Sequence, residues 1–254
     1  MRTGPIISTL LLVLLAASGC THRYTTDASV SLDLPGTVGV EVDNFAGDVV
    51  IRVDPDISQP TLTVIRESIH GAGRKEDAKA SLSEITYDFE VVTGDLGPVL
   101  RVSTATTHAE PHFVRANVVL DLPEVYGVNV RTHLGSVEAF HVQGPIDIET
   151  DGADVLVATT RPLLDPITIV NRQGDINMRL RSESSGDLDF ATVRGTVTSR
   201  ITRGRTIIYP PSGADVYRAS LNDGRNRVIL RTVDGEIRFM VVENPMSYGA
   251  RLDL

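Results

Sequence analysis

The sequence predicts an all-β fold, a β-solenoid, and three observations predict it. Val, Ile and Thr recur in short runs that alternate with polar residues. Glycines punctuate the chain at near-regular intervals. A set of Gly-x-aliphatic steps each opens a run of only three to five strand-forming residues. Period-two alternation suits a strand with one buried face, and short strands at even spacing suit a sandwich, a barrel or a solenoid. Recurrence of the same step favours the solenoid. Glycine accepts the backbone angles of a sharp corner, and the aliphatic residue two places on stacks on its equivalent in the next coil.

The amino terminus comes first. Arg2 precedes the apolar run from Ile6 to Leu15, which ends in Ala16-Ala17-Ser18-Gly19 and then Cys20. A charged start, a short apolar core and small residues at a cleavage site mark residues 1–19 as an export signal. The core is shorter than the roughly 20 residues a spanning helix needs. Ala17-Ser18-Gly19-Cys20 resembles the lipobox of bacterial lipoproteins, with Ala17 where that box usually has Leu. The resemblance implies that the Cys20 thiol is lipidated and that Cys20 becomes the first residue of the mature chain. Cys20 is the only cysteine, so it has no internal disulfide partner. More than one acyl chain gives a stable anchor where a single chain is marginal. Thr21 stands where Asp commonly retains lipoproteins at the inner membrane, which favours the outer membrane in a Gram-negative cell. Residues 20–29 are polar and read as a tether.

The 254-residue chain carries a formal charge of −9, and losing Arg2 with the signal makes it more acidic still. Its basic clusters stop at Arg203-Gly204-Arg205 and Arg225-Asn226-Arg227, which argues against nucleic acid as a partner. No second apolar stretch is long enough to span a membrane. About 235 residues remain to build one core, or two small ones. With no other cysteine, packing alone must hold them together. Tryptophan is absent and aromatic residues make up 5%, so a sugar-binding surface lined with many aromatic rings is disfavoured.

Residues 30–122 read as an N-terminal β region with one helix. Val38–Val42, Val49–Val53 and Leu62–Arg66 are strands, with a turn at Asn44–Asp48. From Lys75 to Ile85, Ala78, Leu82 and Ile85 fall on one face of a helix, and Glu76 and Asp77 suit its first turn. The helix is expected to cover one end of the sheet. Strands resume at Tyr87–Val92, Val99–Val102 and Val114–Leu120.

Residues 123–254 carry the repeat: Gly135-Ser136-Val137, Gly144-Pro145-Ile146, Gly174-Asp175-Ile176, Gly186-Asp187-Leu188, Gly195-Thr196-Val197 and Gly235-Glu236-Ile237. Gly47-Asp48-Val49 is an early copy. Arg161–Pro166 replaces one expected step and reads as a loop bulging from a coil. Open solenoid ends invite aggregation, so caps are expected: the helix and longer strands before Pro123 at one end, Arg238–Pro245 at the other.

The run Asn117–Pro123, then Val128–Val137 and the Gly-punctuated strands after it, resembles the bacterial putative-adhesin families of β-strand repeats. These include families related to the autotransporter-adhesin head (GIN) domain. The resemblance covers roughly residues 32–242 and is strongest over 114–208. It implies a right-handed, mostly parallel β-solenoid at the cell envelope, and no catalytic residues.

Candidate chemistry is sparse. His108-Ala-Glu-Pro-His112 has Glu110 misplaced for a zincin, and Pro111 disfavours the helix that motif needs. His133 and His141 lack a third metal ligand. Asp48, Asp175, Asp187 and Glu236 follow repeat glycines and would form an acidic column if the coils stack in register. Such a column could take Ca²⁺, but the Gly-Gly-x-Gly-x-Asp repeat of calcium-binding solenoids is absent, so solvated turn residues are favoured. No nucleophile elbow or phosphate-binding loop is present. The expectation is a non-enzymatic, lipid-anchored envelope protein that needs no cofactor and binds an envelope protein or glycan. Two alternatives stand beside it. A β-helical enzyme acting on polysaccharide needs three or more carboxylates on one face, and a periplasm-facing assembly or lipid-handling lipoprotein needs an open apolar groove.

Overall fold

The computed structural model describes residues 22–71 and 73–248. The signal at 1–19, its Ala17, Ser18 and Gly19, and the lipidation site Cys20 lie outside them. Strands β1 (His22–Ser31), β2 (Val38–Asn44), β3 (Val49–Val53) and β4 (Thr61–His70) precede the helix α1 (Lys75–Ser81). β5 (Ile85–Gly94), β6 (Gly97–Thr106), β7 (Val114–Leu122) and β8 (Val125–Thr132) follow it. Next come β9 (Val137–Phe140), β10 (Gln143–Thr150), β11 (Val155–Ala158), β12 (Ile167–Gln173) and β13 (Ile176–Leu180). The last six are β14 (Gly186–Arg194), β15 (Val197–Ile201), β16 (Thr206–Tyr209), β17 (Val216–Leu221), β18 (Arg227–Asp234) and β19 (Ile237–Val241).

These strands form two large sheets. Sheet A runs β1-β4-β7-β3-β9-β11-β13-β19-β15, and sheet B runs β16-β17-β14-β18-β12-β10-β8-β2-β6-β5. From β7 to β15 in sheet A and from β14 to β6 in sheet B every pairing is parallel. The outer strands are antiparallel: β1 and β4 in sheet A, and β5, β16 and β17 in sheet B. The expected all-β fold of mostly parallel strands is found, but as two mixed, unclosed sheets rather than a parallel solenoid throughout. β5–β6 and β16–β17 are hairpins that need only a short connection, whereas β1/β4, β4/β7 and β14/β17 join strands that are not consecutive.

The aliphatic residues of the repeat face between the sheets as expected. Val49, Val137, Ile146, Ile176, Leu188 and Ile237 are buried, and Val197, on the edge strand β15, is partly so. Valine, isoleucine and leucine dominate the one continuous core, with Phe190 and Phe239 tilted together at 5.0 Å. At about 25 cal/mol per Å² of apolar surface removed from water, this layer is the main stabilising term. β2 pairs with β8 and β3 with β9, so the boundary expected at 122/123 breaks neither sheet.

Three further expectations are revised. Of the tether at 20–29, His22 onward belongs to β1, paired with β4 from His22↔His70 to Ser31↔Thr61. Its polar alternation is that of an edge strand with one half-buried face. The helix stops at Ser81, and a 3₁₀ turn carries Leu82–Glu84 into β5. Arg238–Val241 do not cap an end, because they lie in β19, between β13 and β15. β18 likewise inserts between β12 and β14. The last coil is thus intercalated, a placement that depends on strand pairing across sheet edges.

The corners from sheet B into sheet A explain the glycines. Gly47, Gly135, Gly174 and Gly235 have φ of 115°, 144°, 124° and 154°, and Ala153 takes the same role at 112°. These backbones stack almost in contact: a Cβ on Gly135 would lie 2.0 Å from the Gly47 carbonyl oxygen, and one on Gly235 2.0 Å from that of Gly174. Gly195 closes the column against Gly235. Gly144 and Gly186 stand elsewhere, at the starts of β10 and β14 in sheet B. Inside the corner runs a row of buried polar side chains: Asn44, Thr132, Thr150, Asn171, Thr232 and Thr192. Asn44 and Asn171 donate to the carbonyls of Gly47 and Ala153 at 2.8 Å, and Thr192 to that of Gly235 at 2.9 Å. Carbonyls that the turn takes out of the ladder thereby find donors.

Candidate functional site

A cleft of about 440 Å³ opens on the outer face of sheet B, where β2, β8 and β10 begin. Its floor is made by two bulges. β8 gains a residue on β2 at Tyr126-Gly127, and β10 gains one on β8 at Gly144-Pro145. Gly127 and Gly144 have φ of 97° and 81°, and a Cβ on Gly144 would lie 2.7 Å from the Gly127 nitrogen. Gly39 lies in the same row. A floor of Gly39, Gly127 and Pro145 has almost no side chains, so the sheet is locally concave. Bulges re-aim side chains in this way at functional sites.

The walls come from both sides. Tyr126 is 40% exposed, and its hydroxyl donates to Asp165 Oδ2 at 3.2 Å. The Asp165 charge, then burial, raises the phenol above its usual range. Opposite, Asp95 and Leu96 form the tip of the β5–β6 hairpin, with Leu96 68% exposed. Glu41, Asn129, Asp147 and Thr168 stand along the cleft on alternate outward positions of β2, β8, β10 and β12. Arg101 pairs with Glu41 at 3.3 Å and with Glu90 at 3.4 Å. The hydrogen bond that Arg101 donates to Glu41 raises Arg101 above its ordinary value. Arg131 is 4.0 Å from Asp147. The result is one aromatic face, one aliphatic wall and several hydrogen-bonding groups around a shallow floor. None of the sequence-based site residues lines it, although Gly144 belongs to the bulge that shapes its floor. The signal for it was weak: glycines and prolines at 127, 144 and 145, inside runs that otherwise read as strands.

The acidic column forms in part. Asp48, Asp175 and Glu236 follow corner glycines on one edge with Asp154, whereas Asp187 sits in β14 on sheet B. Asp48 accepts the backbone N–H of Ser136, Asp154 that of Asp175, and Asp175 that of Glu236, each at 2.8 Å. Arg238 reaches both Asp175 and Glu236. These carboxylates therefore tie successive coils together. Among the described residues, no group of three or more His, Asp or Glu is arranged to hold a metal ion.

The histidines have separate partners. His133 contacts Asp151 at 2.9 Å, and His141, held at φ 59°, contacts Thr160 Oγ1 at 2.8 Å. Burial, then Arg161, outweighs Asp54 and lowers His141 below its usual range. His108 Nδ1 meets Glu84 at 2.9 Å, and His112 packs on Phe113. The loop at 159–166 is anchored: Leu163 is buried, and its N–H donates to Ser184 Oγ at 3.0 Å.

No family model matches the sequence. No curated protein matches it either. Solved structures do. A putative cell adhesion protein from Clostridium sporogenes superposes with a TM-score of 0.50 at 10% identity, over 86% of this chain and all of the other. A putative adhesin from Parabacteroides distasonis gives 0.35 at 13% identity, covering 71% and 66% of the two chains. One from Bacteroides fragilis gives 0.33 at 8% identity, covering 84% and 96%. The chain is thus similar in fold to the clostridial putative cell adhesion protein over nearly all its length.

Proposed function

We propose that this chain is a non-catalytic, lipid-anchored envelope protein of adhesin type, and that the cleft on sheet B is its binding site for a glycan. The carrying observation is the placement of the exposed Tyr126 ring beside Asn129, Asp147 and Thr168 over a floor nearly free of side chains. Sugar rings need an aromatic or aliphatic face together with hydrogen-bonding groups, and the cleft offers both. The likeness to a cell adhesion protein supports the fold, and the lipobox at Ala17–Cys20 supports the anchor. Within this reading the two sheets are two faces of a right-handed β-solenoid; the solenoid, though not its hand, is supported by the alternation of the chain between sheet B and sheet A from β8 to β15.

A second reading rests on one observation: Glu41, Asp95 and Asp147 all line the cleft. Glycosidic cleavage uses a pair of carboxylates flanking the scissile bond, and three on one face could supply such a pair. Glu41 is already engaged by Arg101, which favours binding over cleavage. The continuous aliphatic core counts against the lipid-handling alternative.

The test combines address and ligand. Protease shaving of intact and lysed cells, read with an antibody to residues 114–242, reports which side the domain faces. Cys20→Ser is expected to move the protein from membrane to soluble fractions. A glycan screen with the wild-type chain and Tyr126→Ala follows. Binding that drops at least tenfold in Tyr126→Ala, with the glycan recovered intact, supports the proposal. New reducing ends would establish the enzyme instead. Cleavage of the domain only after lysis would remove the adhesin role.

A further inference from the structure

Among the described residues no further strand covers the edge strands at either end of the stack, and the two ends differ in charge. At one end sheet B finishes at β5 and sheet A at β1, with α1 against β1 and β4. At the other, sheet B finishes at β16 and sheet A at β15. Ile208 pairs with the buried Ala219, so its side chain lies on the core-facing side of sheet B, yet it is 60% exposed. Val197 and Ile201, level with the buried Ile237 and Val241, are only partly covered. Ile207 and Tyr209 are exposed on the outer side. The β5 end shows the counterpart. Val91 pairs with the buried Leu100 and is still 43% exposed, and Phe89 beside it is only partly buried. Unpaired strands with apolar side chains invite a further strand, and a repeat stack needs something to cover its last layer.

Charge decides what that is. Residues 194–227 hold seven arginines and two aspartates, a net +5 in a chain of −9, and Asp234, Glu243 and Asp189, which pair with Arg194, Arg203 and Arg218 from outside this segment, bring that end to +2. Residues 75–97, which include β5 and its flanks, hold two lysines and six carboxylates, a net −4, and Arg74 and Arg101, which pair with Asp77 and Glu90 from outside it, bring that end to −2. Joining two β16 ends would set positive against positive. Joining a β16 end to a β5 end sets opposite charges together and continues sheet B from one copy into the next.

We infer that a second copy of this chain is the partner, and that copies associate head to tail, the β15/β16 end of one on the β1/β5 end of the next. Such a contact uses two different surfaces, so each copy added leaves one end of each kind free and the assembly extends as a row. Opposite charges steer the encounter, and salt weakens it because the arginines are exposed.

Sedimentation of the purified full-length chain tests this. At low salt the distribution is expected to shift with protein concentration through dimer to larger species, and to return toward monomer in high salt. I208K blocks one end, and V91K/D88K blocks the other. All three positions are at least partly exposed, so unfolding curves close to wild type are expected and serve as the folding control. Each variant alone is expected to stay monomeric. Their mixture is expected to form a 1:1 dimer and nothing larger, since each keeps the end the other has lost. A wild type that stops at dimer and is insensitive to V91K/D88K would mean that like ends pair, and would overturn the inference. A wild type that stays monomeric at every concentration would overturn it too. Monomer that instead binds phosphatidylglycerol vesicles through Ile208 would assign the basic end to a lipid surface.

Discussion

The Asp175 carboxylate accepts the backbone N–H of Glu236 at 2.8 Å, although 61 residues separate the two in the chain. Asp175 donates its own N–H to Asp154 at 2.8 Å, so one side chain type at one corner position joins three coils. This makes hydrogen bonding the main role of the acidic edge, and the role can be separated from charge. Asp175→Asn keeps the acceptor oxygen and is expected to change stability by less than about 0.5 kcal/mol. Asp175→Ala leaves the Glu236 N–H without its partner and is expected to cost about 1 kcal/mol. Urea midpoints of the two variants check this. Equal losses would mean that the ion pair with Arg238 dominates instead.

Gly135 is expected to be intolerant of any side chain. Its φ of 144° disfavours L residues, and a Cβ there would meet the Gly47 carbonyl oxygen at 2.0 Å. Gly135→Ala should destabilise by about 3 kcal/mol, since backbone blocks the space and cannot swing aside. Gly36, also at positive φ, has nothing within 4 Å of a Cβ, so Gly36→Ala isolates the conformational cost, at about 1 kcal/mol. Comparable losses at the two sites, in chemical denaturation, would rule out the close stacking of the corner.

The buried row inside the corner offers an opposed pair of substitutions. Asn171 donates to the Ala153 carbonyl at 2.8 Å, and its Oδ1 accepts the Gln173 N–H at 3.2 Å. Asn171→Leu strands both groups and is expected to cost about 2–3 kcal/mol. Thr150 lies in the same row, but its Oγ1 is buried without a protein partner among the described residues. Thr150→Val removes that hydroxyl at nearly constant volume and is expected to be neutral or to raise the melting temperature. A clear drop for Thr150→Val would show that its hydroxyl is satisfied in solution.

His70 should make the β4–α1 end sensitive to acid. It is 1% exposed, its Nε2 lies 3.2 Å from Ser81 Oγ, and its Nδ1 is buried without a partner among the described residues. The His108 ring is 5.5 Å away, with Nδ1 on Glu84. Burial, then Arg74 and His108, lowers His70 below 6.5 against the opposing Asp77 and Glu110. A lowered folded value means that the unfolded chain takes up the proton first. Stability is therefore full above about pH 6.5 and falls as pH drops toward the lowered folded value. His70→Phe should flatten that part of the stability–pH curve. An unchanged slope would place the acid sensitivity elsewhere.

Much of the strand pattern was legible in the sequence, because alternation records burial directly. Val49, Val137, Ile146, Ile176, Leu188 and Ile237 were read as core residues from their place after glycine, and all are buried. The glycines at 47, 135, 174 and 235 were read as corners, and their positive φ and contact with the neighbouring coil supply the reason. The cleft was not legible. It exists because bulges at Gly127 and Gly144 fall side by side, and register between strands is a property of pairing.

The sequence by itself determined that the chain is built of short strands turned at glycine corners, because backbone freedom and side-chain polarity are local properties. Only the tertiary structure decided which strands lie together. Asp187 shares its Gly-x-aliphatic step with Asp175 yet lies on the other sheet, and β19, last in the chain, lies inside sheet A. Every core strand presents a similar aliphatic face, so local pattern does not rank one neighbour above another. The ranking comes from contacts between residues far apart in sequence: the paired N–H and C=O groups, the corner backbones in contact, and Asn and Thr donors that meet particular carbonyls.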